Sequence, residues 1–109
     1  MYRFSWLAVG LALTWVAPFA VAAEGDGDVA QGKELFETKC AICHNVDSKE
    51  KKIGPGLQGV KDGKLPSGKE TTYQNILDNL NAGGGGMPAF EKLLTSEEKD
   101  HIVAYVLTL

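Results

Sequence analysis

Apolar positions along the chain fall into one long block and three periodic stripes. The block covers residues 6–21 and is almost wholly apolar, broken by Thr14 and Pro18. The first stripe is Val29, Gly32, Leu35 and Phe36, one face of a helix that starts after Asp28 as N-cap and runs to about Lys39. The second is Tyr73, Ile76, Leu77 and Leu80; it predicts a helix beginning at Thr71, with Thr71 and Gln74 as a capping box and Gly83 as its end. The third is Ile102, Tyr105 and Val106, on a helix opened by Thr95 with Glu98 as its capping-box partner. Residues 45–69 show no sustained period. They are rich in Gly, Pro, Lys and Asp, and read as ordered loop. No segment alternates as a strand would, so the expected fold class is all-α. Loops this long are unusual in so short a chain. They become reasonable if the chain wraps around something large and apolar that is not protein.

The long apolar block changes the domain picture. A positively charged start (Met1-Tyr2-Arg3) precedes it, and Ala20-Val21-Ala22-Ala23 follows, ahead of the polar Glu24-Gly25-Asp26. That order is the pattern of a secretory signal peptide, cleaved after Ala22 or Ala23. The competing reading is an uncleaved anchor, because an apolar run of roughly 18 residues just spans a bilayer. The expected organisation is a leader at 1–23 and one small domain at 24–109. The location is periplasmic or otherwise exported, or membrane-anchored and facing the periplasm.

Composition narrows the function. Among 109 residues there are two cysteines, Cys40 and Cys43, so no disulfide framework is available to staple a small core. The formal net charge is −3, and the single arginine, Arg3, lies in the leader. An acidic domain without basic stripes argues against nucleic-acid binding.

Residues 40–44 read Cys-Ala-Ile-Cys-His, a haem attachment signal of the c type. Two thiols at this spacing reach two vinyl-derived positions of one haem, and the adjacent imidazole comes beneath the iron, for which it is a good ligand. Three plainer readings compete. One is a simple disulfide. Another is a redox-active thiol pair, which ordinarily sits in a βαβ setting. The third is half of a zinc site, for which the other histidine, His101, supplies no second pair. Met87 stands beyond four glycines and just before Pro88. A lone methionine is usually core filler. This one, on a loop with little core to fill, reads as a second axial ligand, ahead of His101 on its helix.

These anchors resemble the class I c-type cytochromes, over nearly all of residues 28–109. Gly32, Phe36, Cys40, Cys43 and His44 match one motif, and Gly54-Pro55-Gly56-Leu57 a second. Met87-Pro88 matches a third, and Ile102-Val103-Ala104-Tyr105 a fourth. The resemblance implies a cytochrome c fold, with three helices and ordered loops around one covalently bound haem c. It implies thioethers at Cys40 and Cys43 and axial ligands at His44 and Met87. The Pro55 carbonyl would accept from the other ring nitrogen of His44, and Leu57 would wall the haem, with some of Tyr73, Ile76, Leu77 and Leu80. Gly32 would allow a close crossing of the first and last helices, with Phe36 and Tyr105 packed there. The short interval between Gly59 and Met87 resembles the small bacterial or algal type. Propionate partners stay unassigned, with Tyr73 and a neighbouring lysine as candidates.

The resemblance further implies a non-enzymatic, monomeric electron carrier serving exported or membrane redox partners: a membrane cytochrome complex, a dehydrogenase or a terminal oxidase. With both axial positions filled, small substrates have no site on the iron. The alternative is a haem subunit of one larger dehydrogenase or oxidase complex. Ala41, Ile42, Gln58, Gly86 and Pro88 are candidates to frame a docking patch. The net acidic charge suits a basic or weakly charged partner. Lys49, Lys51 and Lys52 read as a solvated loop sooner than as a docking patch.

Overall fold

The computed structural model describes residues 27–109 and Gly10. The expected leader at 1–23, Gly10 aside, and its junction with the domain lie outside the described residues. Among the described residues no helix is long and apolar enough to cross a membrane.

Three helices carry the domain: α1 (Val29–Lys39), α2 (Tyr73–Ala82) and α3 (Ser96–Val106), with a single 3-10 turn at Val60–Asp62. The described residues contain no strand, only the isolated bridges Lys64–Glu70 and Gly84–Met87. Asp28 caps α1, its carboxylate accepting from the Gln31 N–H at 3.0 Å. Thr95 and Glu98 close a complete capping box on α3.

The start of α2 differs from expectation. Thr72, not Thr71, is the N-cap, accepting from the Asn75 N–H at 3.1 Å. The Thr71 hydroxyl is committed elsewhere: it donates to the Val60 carbonyl at 2.5 Å and lies 3.2 Å from the Gly63 carbonyl. Gln74 donates to Asp78 instead of reaching back to the cap. Two adjacent threonines are equivalent caps locally; the need to hold the 60–63 turn decides between them.

Helices α1 and α3 cross at Gly32. A Cβ at that position would stand 1.8 Å from the His101 carbonyl oxygen, so only a bare backbone permits the approach. Phe36 and Tyr105 pack edge-to-face at the crossing, ring centroids 5.4 Å apart. His101 fastens the same junction, its Nδ1 accepting from the Asp28 N–H at 2.8 Å. Of the first stripe, Gly32 and Phe36 are buried and Leu35 is half-buried, while Val29 is exposed. Helix α2 joins α3 through the Tyr73 hydroxyl, which donates to the Asp100 carboxylate.

The loops are ordered by backbone bonds rather than by hydrophobic periodicity. Leu57 N–H donates to the Asn45 carbonyl at 2.8 Å, and Gly59 N–H to the Leu109 carbonyl at 2.7 Å. The second of these pins the long loop to the residues that follow α3. Leu57, Val60, Leu65 and Leu94, all from outside the helices proper, are buried with Ile76, Leu80, Ile102 and Val103 in one core.

Candidate functional site

Helix α1 runs into a tight turn that gathers three reactive side chains. The N–H groups of Cys40 and Ala41 both donate to the Phe36 carbonyl, and those of Cys43 and His44 both donate to the Cys40 carbonyl at 3.0 Å. Cys40 is buried, while Cys43 and His44 are half-buried. Burial pushes the Cys40 thiol up to about 11, aided by Cys43 and opposed by Lys39. Burial therefore favours the thiol of Cys40 over its thiolate until the sulfur is bonded.

The imidazole of His44 is fixed from behind. Its Nδ1 lies 2.7 Å from the Pro55 carbonyl oxygen. A carbonyl only accepts, so Nδ1 carries the proton and Nε2 keeps a free lone pair. Gly54 N–H donates to the Cys43 carbonyl at 2.7 Å, locking the Pro55 turn onto the cysteine turn. A methyl at position 54 would stand 2.7 Å from His44 Cε1, so the ring uses the space that glycine leaves.

Met87 arrives on a hairpin. Gly84 and Met87 exchange both backbone hydrogen bonds, at 2.9 and 3.0 Å, around Gly85 and Gly86. Those two glycines have φ of +61° and +97°, the two positive values that a type I′ turn needs. A Cβ on Gly83 would stand 2.5 Å from the Met87 carbonyl oxygen. Phe90 N–H then donates to the Leu80 carbonyl at 2.7 Å, tying the chain beyond Met87 to α2. The glycine run is a defined turn, not a linker.

The six residues expected at the site (Cys40, Cys43, His44, Pro55, Leu57 and Met87) all line one cavity of about 500 Å³. Ile76 and Leu80 complete its wall; Tyr73 and Leu77 do not reach it, although both pack on the core. Tyr73, a candidate propionate partner, turns its hydroxyl to Asp100 instead. His101 lies away from this cavity and is spent on the start of α1. Of the residues expected to frame a docking patch, Ile42, Gly86 and Pro88 line the cavity and Ala41 and Gln58 do not.

Several lining residues escaped the sequence reading. Ile53, 68 % exposed, lines the cavity, as does Ile42 at 69 %. Its place just before Gly54-Pro55 was the available signal. Asn79 also lines the wall; its spacing of three from Ile76 puts it on the same face of α2. Ser67 and Phe90 are set there by loop geometry, which no periodicity announces.

The donor set suits one kind of guest. Two thiols, an imidazole nitrogen with a free lone pair and a thioether stand on the wall of a largely apolar cavity. Such donors fit an iron macrocycle held by covalent and axial bonds, and the volume lies within the range of cofactor sites. Fold and site together define an all-α, haem-carrying electron-transfer protein.

Comparison with known proteins agrees. Residues 27–106 match the family model described as cytochrome c oxidase, cbb3-type, subunit III. Cytochrome c6 of Rippkaea orientalis is 33 % identical over 81 residues, covering 74 % of this chain and 70 % of the relative. The crystal structure of cytochrome c6 from the diatom Phaeodactylum tricornutum superposes with a TM-score of 0.60 at 34 % identity, covering 75 % of this chain and 93 % of that one. The c-type cytochrome SorU from Sinorhizobium meliloti gives a TM-score of 0.53 at 29 % identity, covering 73 % and 87 %. The chain belongs to the class I c-type cytochromes, monohaem electron carriers rather than enzymes, with covalently attached haem c.

Proposed function

We propose that Cys40 and Cys43 carry the haem through thioethers, that His44 Nε2 and Met87 Sδ are its axial ligands, and that the protein carries single electrons between exported or membrane redox partners. The observation that carries this reading is the convergence of all four side chains on one cavity, with His44 already held by Pro55 at 2.7 Å. Haem supplies a one-electron couple when bound; the rest is work done by the chain.

Pro55 fixes which nitrogen of His44 is protonated and which way the ring faces, and makes Nε2 a stronger base. The hairpin presents Met87 with its backbone already folded. Leu57, Ile76 and Leu80 exclude water and penalise extra charge inside the cavity. The exposed Ile42 and Ile53, with Gly86 and Pro88, offer a small apolar patch beside the cavity for brief docking. Encounters of this kind bury little area and are weak. We read the partner surface as basic or weakly charged, to suit the net acidic charge, and the location as exported through the leader at 1–23.

The test is the visible spectrum of the oxidised protein at neutral pH. The wild type is expected to show a Met–iron charge-transfer band and no carbon monoxide binding when reduced. Met87→Ala is expected to lose the band and bind carbon monoxide. An unchanged band in the variant rules out Met87 as a ligand.

A second reading has one observation in its favour: the matching family model bears the name of an oxidase subunit. On that reading the domain serves inside one larger dehydrogenase or oxidase complex. The native protein would then co-elute stably with an enzyme on size exclusion, whereas a diffusible carrier runs alone as a monomer.

A further inference from the structure

Among the described residues one charged side chain is buried: Lys99, 8 % exposed, in the second turn of α3. Its ammonium donates to the Glu91 carbonyl at 2.9 Å. That carbonyl is its hydrogen-bond partner among the described residues; no carboxylate compensates the charge there. Most of the lysine is buried while its ammonium, in a part-buried bond, meets one neutral acceptor, and an unbranched apolar side chain of similar length would fill the same space at least as favourably. The lysine therefore calls for an explanation other than packing.

Its acceptor supplies one. Glu91 lies four residues beyond Met87, on the segment that returns from the hairpin to α3. This segment is fastened twice. The Phe90 N–H holds it to α2 through the Leu80 carbonyl at 2.7 Å, and the Glu91 carbonyl holds it to α3 through Lys99. Helix α3 is itself locked to α1 at Gly32, the helix from which the Cys40–His44 turn emerges. Lys99 thus connects the segment that follows Met87 to the same helix pair from which the His44 turn emerges. Without it, the hydrogen bonds left to residues 91–94 are those of their own turn, where Leu93 and Leu94 donate to the Phe90 carbonyl at 3.2 and 3.3 Å, and Leu94 packs in the core.

We propose that Lys99 is a positioning residue for Met87: by holding the Glu91 carbonyl it sets the reach of the methionine loop and resists displacement of Met87 from the iron. This rests on Met87 being an axial ligand.

The experiment is titration of the oxidised holoprotein with imidazole, which competes with Met87 for its coordination position, alongside thermal melting followed by helical circular dichroism. Lys99→Met is expected to bind imidazole roughly tenfold more tightly than wild type, the order that one hydrogen bond from a charged donor supports. Its melting temperature should be equal or higher. Lys99→Arg, which keeps a charged donor, should return most of the wild-type affinity. Val103→Ala, a core change away from the loop, should lower the melting temperature with little effect on imidazole affinity. If Lys99→Met binds imidazole as wild type does, the proposal is overturned, whatever happens to melting. Should Lys99→Met fail to mature, Lys99→Gln is read by the same criterion. Met87→Ala separates the two layers of the argument. If it leaves imidazole affinity unchanged, the ligand assignment fails. If it tightens binding while Lys99→Met does not, only the role of Lys99 fails.

Discussion

At residue scale, the glycines at 83–86 carry a conformational demand that no other residue meets cheaply. All four have positive φ. Gly86→Ala places a Cβ in left-handed backbone at +97°, costing roughly 1–2 kcal/mol. The expected outcome is a weakened Met–iron band in mild denaturant, with helical content unchanged at that concentration. Gly32→Ala is a different failure, because the added Cβ meets backbone, 1.8 Å from the His101 carbonyl oxygen. It must push α1 from α3. Loss of 3 kcal/mol or more, on the order of the larger overpacking costs, should appear as a greatly lowered urea midpoint or as failure to accumulate holoprotein.

The residues proposed to hold the haem were legible in the sequence because Cys40, Cys43 and His44 stand at the interval of a haem attachment signal. Their meeting with Met87 in one cavity was legible from the order of the motifs. Lys99 was not. It stands on an otherwise amphipathic helix where lysine ordinarily faces water, and only the Glu91 carbonyl, a backbone group, gives its head somewhere to go. The choice of Thr72 over Thr71 was hidden for a like reason, since the contact with Val60 that decides it is eleven residues distant in sequence.

At the scale of elements, α3 meets both α1 and α2, and its capping box predicts a dependence on pH. The Glu98 carboxyl is held below its ordinary range, chiefly by the backbone hydrogen bond from Thr95. A carboxyl depressed by folding adds stability above its unfolded-state value, near 4.5, and loses it as pH falls through the lower folded value. Glu98→Gln should therefore narrow the gap between the urea midpoints at neutral pH and in acid; an unchanged gap would show that the box contributes nothing to acid sensitivity. Thr95→Ala, which removes the other half of the box, is expected to cost about 1 kcal/mol at neutral pH by the same measurement. Helix periodicity revealed α1, α2 and α3 well. It was silent on the hairpin at 84–87, whose signal is a run of glycines that composition alone reads as slack.

At the scale of the whole molecule, one prediction separates the site from the fold. The methionine loop is held by a few backbone bonds and one lysine, while α1 and α3 share a packed crossing through Gly32, Phe36 and Tyr105. Local opening follows the thinner set of contacts. In a denaturant titration the Met–iron band should disappear at a lower concentration than the helical signal; coincident transitions would show that the loop is no weaker than the core.

The central claim is that this small all-α chain closes around one haem bonded to Cys40 and Cys43. Its most direct measurement is the mass of the tryptic peptide that begins at Cys40, after extraction with acidified organic solvent. The account predicts a peptide carrying one haem, with the extract colourless. A peptide with the bare mass of its sequence, and haem free in the solvent, would contradict it.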